Sequence, residues 1–472
     1  MTRLLRLGLL GLLAGCTLGP DYHPPAIPPT ATGDFVSAGN ASLSADPLPD
    51  GWWQLYQDPR LNSLILQAFA ANDDIKVAEA NLAASRALFE GARALQLPQT
   101  SIGGTATYGR DVTLDTVLEV TGREPQDSWL FDTTFDMAYE VDLFGQVRRE
   151  VEAARDNAQA VAAALDGLRV TIAAETARAY GSVCALGEQI AVAQRSLAIT
   201  ADQLRIVQAS EAAGGSTDFD VARSKTLVAQ VQATLPPLEG QRRAAIFEIA
   251  ALLGETPAQA PFDLESCTQP PQLAAPVPVG DGAAMLKRRP DVRAADRKLA
   301  TALAEIGAAK ADLFPKVSLT GFFGGAATQF NLLGSNSGLT WGVGPAISWT
   351  FPNLAGPLAK LAQTRANARG ALASFDGTVL TALKETEQAL TAYEAELGHH
   401  AALADAATDA RHALTLAQAQ FTAGQISNLD LLTSEQSQVT TAAALAASDA
   451  ALIQDQVALF KALGGGWQAT AR

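Results

Sequence analysis

Two carboxylates stand at matching places in the chain. Asp220 follows Gly214 in AGGSTDFDVARSK, and Asp430 follows Gly424 in AGQISNLDLLTSE. Each lies six residues past its glycine, and each is followed four positions on by a serine, Ser224 and Ser434. On spacing alone, both aspartates are expected to be helix N-caps just after a glycine turn, where a side-chain oxygen accepts from unsatisfied backbone N–H groups. Little else offers the chemistry of a site. The histidines are His23, His399, His400 and His412, none in metal-ligand spacing with acids, and neither G-x-S-x-G nor a phosphate-binding loop occurs. His399 and His400 read as solvated helix residues. Cys184 and Cys267 stand 83 positions apart and outside any C-x-x-C pattern, so they neither define a zinc site nor demand a disulfide. They read as two small thiols, buried or in a linker. No catalytic residue, metal ligand or cofactor is expected, and the chain does not read as an enzyme.

The N-terminus places the protein in an envelope. MTRLLR supplies positive charge and LGLLGLLAG a short apolar run, which together read as a signal peptide over residues 1–15. The run then closes on Leu13-Ala14-Gly15-Cys16, which resembles a bacterial lipoprotein signal, so Cys16 is the expected lipid anchor. Thr17 in place of an aspartate is the pattern of delivery to the outer membrane. Acyl chains such as palmitate hold stably when several act together, at about 0.8 kcal/mol per buried CH2. No later segment has the 18 or more uninterrupted apolar residues of a transmembrane helix, so any membrane-spanning part must be something else. The formal charge of −15 argues against nucleic acid as a partner. Hydrophobic residues make up 48% but aromatics only 6%, the composition of long helices packed through small side chains.

The chain is written twice. Asp74, Leu82, Pro98 and Gly104 recur 217 positions later as Asp291, Leu299, Pro315 and Gly321. Further on the shift is 210, relating Glu175-Thr176 to Glu385-Thr386, Gly214 to Gly424, and Leu253-Gly254 to Leu463-Gly464. The expected plan is an extended tail over 16–50, a first repeat over 51–254, a proline-rich linker over 255–282, a second repeat over 283–464 and a C-terminal tail over 465–472. Each repeat opens with one helix (Pro59 to Gln96; Ala283 to Leu313), continues with two strands, and ends in a very long helix with a shorter return. From Gln146 to Ala212 no proline interrupts 67 residues, roughly 100 Å of helix. The returning helices carry heptads: Val221, Val228, Leu235, Arg242, Ile249 and Leu431, Gln438, Leu445, Leu452, Leu459. Four of five are apolar in each, which predicts coiled-coil packing. Seven prolines in the tail and six in the linker predict extended chain wrapped over helices.

Between the helices the period changes to two. Strands are expected at 99–110, 128–142, 316–325 and 340–351. Phe131, Phe135 and Tyr139 share one face of the second, opposite Asp132, Asp136 and Glu140, while Trp341 and Trp349 share one face of the fourth. Apolar-out, polar-in strands of about ten residues are the signature of a transmembrane barrel, and these five aromatics are the expected lipid-facing set. A soluble half-buried sheet would alternate in the same way, so the signal peptide and anchor carry the choice. Four strands cannot close, and lipid does not tolerate an open edge. Other copies of the chain must complete them, and a trimer with twelve strands is the simplest closed solution.

YEVDLFGQVRREVEAA, LKRRPDVRAADRKLA and AKADLFPKVSLTGFFG resemble hallmark segments of TolC-like outer membrane factors, most closely the lipoprotein branch that includes OprM and NodT. The resemblance spans the mature chain from DYHPP to LGGGW. It implies an α+β membrane protein: a homotrimer with a twelve-stranded barrel in outer membrane lipid and a long helical tunnel in the periplasm. It implies a passive exit duct for small molecules in a tripartite efflux pump, the kind that underlies drug resistance. Its partners would be a periplasmic adaptor and an inner membrane transporter, here of the resistance-nodulation-division type. A type I protein secretion channel and a non-porous coiled-coil lipoprotein are the alternatives. The resemblance further implies that the turns with Gly214, Ser216, Gly424 and Ser427 form the adaptor-docking tip. Asp430 would contribute to an acidic ring at a gate, where three carboxylates repel and attract cations, and Asp220 would tie neighbouring helices. In one respect the chain departs from the family pattern. Two residues past the second glycine stands Ile426 instead of an arginine, so that salt link is absent, with Arg223 and Lys225 as nearby basic residues.

Overall fold

The computed structural model describes residues 17–39, 41–109, 127–336 and 338–465. The expected signal peptide, Cys16, Arg110 and residues 466–472 of the expected C-terminal tail lie outside the described residues. In chain order the regular elements are β1 (Leu43–Ser44), α1 (Pro59–Ala71), α2 (Asp73–Ala94), β2 (Gln99–Gly109), β3 (Ser128–Val141), α3 (Gln146–Ala212) and α4 (Asp218–Leu252). There follow β4 (Val277–Pro278), α5 (Gly282–Arg288), α6 (Pro290–Ala311), β5 (Lys316–Ala327), β6 (Leu339–Ser348), α7 (Ala355–Thr422) and α8 (Asn428–Ala462). The described residues form two compact units. One gathers 17–25, 82–109, 127–161, 295–336 and 338–375, the other 26–39, 41–81, 162–294 and 376–465. No described helix is long and apolar enough to cross a membrane.

The first unit is built on a four-stranded antiparallel sheet in the order β2-β3-β5-β6. Directly opposed residues of antiparallel strands share a face. Ile102, Phe135, Phe323 and Trp341 therefore make one apolar row across all four strands, and Val141, Val317 and Ile347 make another. The opposite face carries Gly103, Thr134, Gly324 and Thr340 in one row and Ser101, Asp136, Phe322 and Gly342 in the next, small or polar except for Phe322. Trp341 is 70% exposed and Ile347 72%, so these positions of the apolar face have no cover among the described residues. β6 ends at Ser348 and does not reach residue 351. Beyond it Trp349 donates its indole N–H to the Leu313 carbonyl (3.1 Å) and stacks on Phe351 (4.6 Å), and the Phe351–Pro352 peptide is cis. β5 runs two residues further than the expected 325, to Ala327.

The tail from residue 17 is fastened to this unit. The Leu18 N–H donates to the Phe144 carbonyl (3.2 Å), and the buried Arg149 donates to the Leu18 carbonyl (3.2 Å) and to Asp21 (2.7 Å). The Tyr22 hydroxyl donates to Asp296, and Arg297 lies over the Tyr22 ring at 5.0 Å. Gly19 takes φ +102° and presses on Gly307, where a Cβ would come within 2.5 Å of the Gly307 Cα, so only glycine fits.

The second unit holds the larger core. Trp52 is fully buried and stacks on Phe460 at 4.6 Å, and Leu61, Leu64 and Ile65 of α1 are buried as well. The opening helix of each repeat is two helices, where the sequence reading had one. Asn72 takes an extended conformation, caps Ile75 with its side-chain oxygen and donates to the Leu252 carbonyl. In the second repeat Pro290 forces the same break, because the residue before a proline avoids helical geometry. Arg289 is extended there and is held by Asp291, Glu385 and the Ala462 carbonyl. The heptads are buried at Val221, Ile249, Leu431 and Leu459, while Val228, Leu235, Leu445 and Leu452 are half-buried within the single chain. α4 continues through Pro236 and Pro237, both on its exposed side.

Tail and linker are extended, with short 3-10 turns at Pro257–Gln259 and Phe262–Ser266, and they also pair with each other. Leu43–Ser44 runs parallel to Val277–Pro278, a small sheet the sequence reading did not contain. Cys184 and Cys267 are disulfide-bonded with Cα atoms 4.8 Å apart, which corrects the reading of two free thiols. The bridge pins the linker to α3 where Gly187 lets the chain approach: a Cβ there would lie 2.0 Å from the Cys267 carbonyl oxygen. The paired variant Cys184→Ser, Cys267→Ser should lose about 2–4 kcal/mol of stability, since the bridge closes a loop of 83 residues. Limited proteolysis should then cut within 255–282; protease resistance equal to wild type would contradict a clamping role.

Candidate functional site

The paired turns are built by the same local rules. α3 ends and Gly214 takes φ +78°; the Gly215 N–H reaches back to the Ser210 carbonyl (2.8 Å) and that of Gly214 to Glu211 (2.9 Å). After α7, Gly424 takes φ +70°, with the Gln425 N–H on the Gln420 carbonyl (2.8 Å) and that of Gly424 on Phe421 (2.9 Å). These are Schellman endings, which need a left-handed residue and so select glycine.

The next helix starts four residues past each glycine with a capping box, and here the aspartates differ from expectation. The N-caps are Thr217 and Ser427, and Asp220 and Asp430 stand at the third helical position. Asp220 accepts from the Thr217 N–H (2.9 Å) and hydroxyl (2.7 Å), and Asp430 from the Ser427 N–H (3.1 Å) and hydroxyl (2.6 Å). Each hydroxyl in turn accepts from the aspartate N–H at 3.3 Å. Two backbone donors are satisfied reciprocally. The same contacts hold both carboxyls below the usual carboxylate range, chiefly through the Thr217 and Ser427 hydroxyls and then through their N–H groups. Asn428 donates to Asp220 Oδ1 (3.4 Å) and so links one turn to the other.

Ser216 and Ser427 are not equivalent. Ser216 donates to the Ser210 hydroxyl (2.8 Å), while its counterpart at the 210 shift is Ile426. Ile426 packs on a cluster of Leu414, Ala417 and Leu431 with Ile199 and Phe421. An apolar residue just before an N-cap, meeting one at the fourth helical position, is a hydrophobic staple. The second turn therefore has an apolar clamp at the position where the resemblance implied an arginine. Of the basic residues nearby, Arg223 lies over the Phe219 ring at 5.7 Å and Lys225 is exposed. Thr217 and Asn428 escaped the sequence reading, although T-x-x-D and S-x-x-D spacing before an apolar run was the available signal.

Of the expected aromatic set, Phe135, Trp341 and Trp349 are exposed and Phe131 and Tyr139 half-buried, with Trp349 just beyond its strand. His399 is exposed beside Glu396 (3.2 Å), as expected of a solvated helix residue, whereas His400 is part-buried and contacts Asp449 (2.9 Å). No described group of histidine, cysteine and acidic residues could hold a metal ion.

The described residues thus combine a four-stranded antiparallel sheet bearing exposed aromatic residues with long helices that turn at capped glycines. Residues 64–255 and 283–465 match the model of the outer membrane efflux protein family. The chain belongs to that family. The solvent efflux pump outer membrane protein SrpC of Pseudomonas putida is 30% identical over 97% of this chain and 96% of its own length. Nodulation protein T of Rhizobium leguminosarum bv. trifolii is 28% identical over 98% of this chain and 97% of its own. Among solved structures, the outer-membrane channel OprN superposes with a TM-score of 0.89 at 33% identity, over 96% of this chain and all of that one. The Neisseria gonorrhoeae MtrE channel in its open state gives 0.85 at 26%, over 96% and 99%.

Ser427→Ala removes the hydroxyl that both caps the helix and lowers the Asp430 pKa. Amide exchange over residues 427–431 should speed up in this variant while that of α1 and α2 stays as in wild type. Unchanged exchange at the turn would contradict the capping assignment.

Proposed function

We propose that the protein is the outer membrane channel of a tripartite efflux pump, a passive duct for small molecules whose driving energy comes from an inner membrane partner. The observation that carries this is the sheet: four strands, an exposed aromatic face, and outer strands β2 and β6 with a neighbour on one side only among the described residues. In lipid every backbone donor and acceptor must be paired, so β2 of one copy has to meet β6 of the next. Three copies give twelve strands, and the long helices of the three copies supply a tunnel wall. Membership in the efflux family supports this reading over protein secretion or a non-porous spacer. The efflux activity named for SrpC points the same way.

The finer assignments belong to the same proposal. Cys16 is the acylated first residue of the mature chain; the docking of Thr17 to Tyr22 onto the sheet-bearing unit agrees with an anchor at that place. The turns carrying Gly214, Ser216, Gly424 and Ser427 receive a periplasmic adaptor, which couples the channel to a transporter of the resistance-nodulation-division type. Three copies of Asp430 form a cation-attracting ring at the resting aperture, and Asp220, bonded to Asn428, ties adjacent turns. Within each chain the Ser427 hydroxyl and then its N–H favour the charged form of Asp430.

Purified protein in planar bilayers should show discrete, cation-selective conductance. Asp430→Ala should weaken the cation preference of the resting pore. Absence of any conductance would overturn the channel, and unchanged selectivity in Asp430→Ala would remove that residue from the gate. In Cys16→Ala, incorporation of labelled palmitate should be lost; incorporation equal to wild type would place the acyl chain elsewhere.

A further inference from the structure

α8 buries a charge-bearing residue immediately beyond the second turn. Leu431, 1% exposed, packs in the cluster with Leu414 and Ala417 of α7 and Ile199 of α3. Glu435 follows one helical turn later on the same face and is only 3% exposed. Its Oε1 finds no hydrogen-bond donor among the described residues, and neither does Oε1 of Gln438, the next seam position. The repeat shows how unusual this is. α4 buries Val221, Ser224, Leu227 and Val231 along its equivalent stretch, and the counterpart of Glu435 at the 210 shift, Lys225, is exposed. One of two equivalent helices has thus placed an unpartnered carboxyl in the seam that holds it against α3 and α7.

We propose that Glu435 is a proton-binding site that controls how the first turns of α8 pack: neutral, it lies flush in the seam; ionised, it drives this stretch of α8 outward. The proposal rests on reading these turns as the gated end. The cost of an ionised carboxylate without a partner in an apolar seam supplies the force. Burial alone pushes this carboxyl up from 4.5 to about 7. No charged neighbour offsets it. On α3, Arg195, Asp202 and Arg205 are exposed, and Arg205 is engaged by Asp202; on α7, Asp409, Arg411 and His412 are exposed. On α4, Arg223 lies over Phe219, and on α8 itself Asp430 is capped by Ser427.

The sign follows from linkage. The carboxyl titrates near 4.5 when solvated and near 7 when buried. The packed arrangement therefore carries no penalty below 4.5, loses favour steadily as pH rises from 4.5 to 7, and carries the full penalty above 7. Acid seats the helix and neutral pH loosens it.

Hydrogen exchange of the detergent-solubilised protein, corrected for the intrinsic pH dependence of amide exchange, reads this directly. Amides of residues 429–438 should exchange about tenfold or more faster at pH 7.5 than at pH 5. In Glu435→Gln, and in Glu435→Leu should the amide disturb packing, these amides should stay slow at both pH values. Exchange in wild type that does not change with pH would overturn the proposal. So would a pH effect that persists in both variants, which would assign the titration to another group such as Asp430. The readout needs no conductance, so a protein that fails to form pores would refute the channel and leave this result standing.

Discussion

The backbone hydrogen bonds of two strands set the terms for the whole molecule. β2 and β6 each offer one row of N–H and C=O groups that no described part of the chain satisfies, beside a face that exposes Ile102, Phe135, Phe323 and Trp341. In water such an edge is a template for aggregation, and in hydrocarbon each unpaired group costs several kcal/mol. The proposed closure by further copies would answer both problems at once. It also explains the small opposite face: Gly103, Thr134, Gly324 and Thr340 leave room on the side that a barrel would turn toward its lumen.

The helices follow a different economy. Their composition favours alanine over aromatics, so close approach through small side chains does the packing, and specificity falls to a few polar positions. The capping boxes at Thr217 and Ser427 start α4 and α8 at fixed residues, and the link from Asn428 to Asp220 holds the two turns together. Duplication has not left the repeats identical. The second turn adds the Ile426 staple and the buried Glu435, where the first has Ser216 and an exposed Lys225. Whatever movement the turns make is therefore expected to be unequal between the two halves of the chain.

Much of this was legible in the sequence because it rests on local periodicity. The alternation in SWLFDTTFDMAYEV gave β3 its face, and the proline-free run from Gln146 gave α3 its length. The glycines of the two turns were legible because a left-handed residue leaves little choice. What stayed hidden depends on distant chain. Cys184 and Cys267 meet only because the linker crosses α3 at Gly187, and no spacing encodes that. The break at Asn72 rests on a bond to Leu252, 180 residues away, whereas its counterpart at Arg289 was announced by Pro290. Glu435 was missed because the heptad read from Leu431 to Gln438 steps over it, although Leu431 is buried and Gln438 half-buried. The aspartates were placed at the right turns but in the wrong capping position, since the residue three before each was not read as a hydroxyl cap.

The most direct test of the account is the protein molar mass in detergent, by light scattering corrected for bound detergent. Closure of the sheet by neighbouring copies predicts a single species at three times the mass of the mature chain. A folded, monodisperse monomer would leave β2 and β6 unpaired in the membrane and would contradict it.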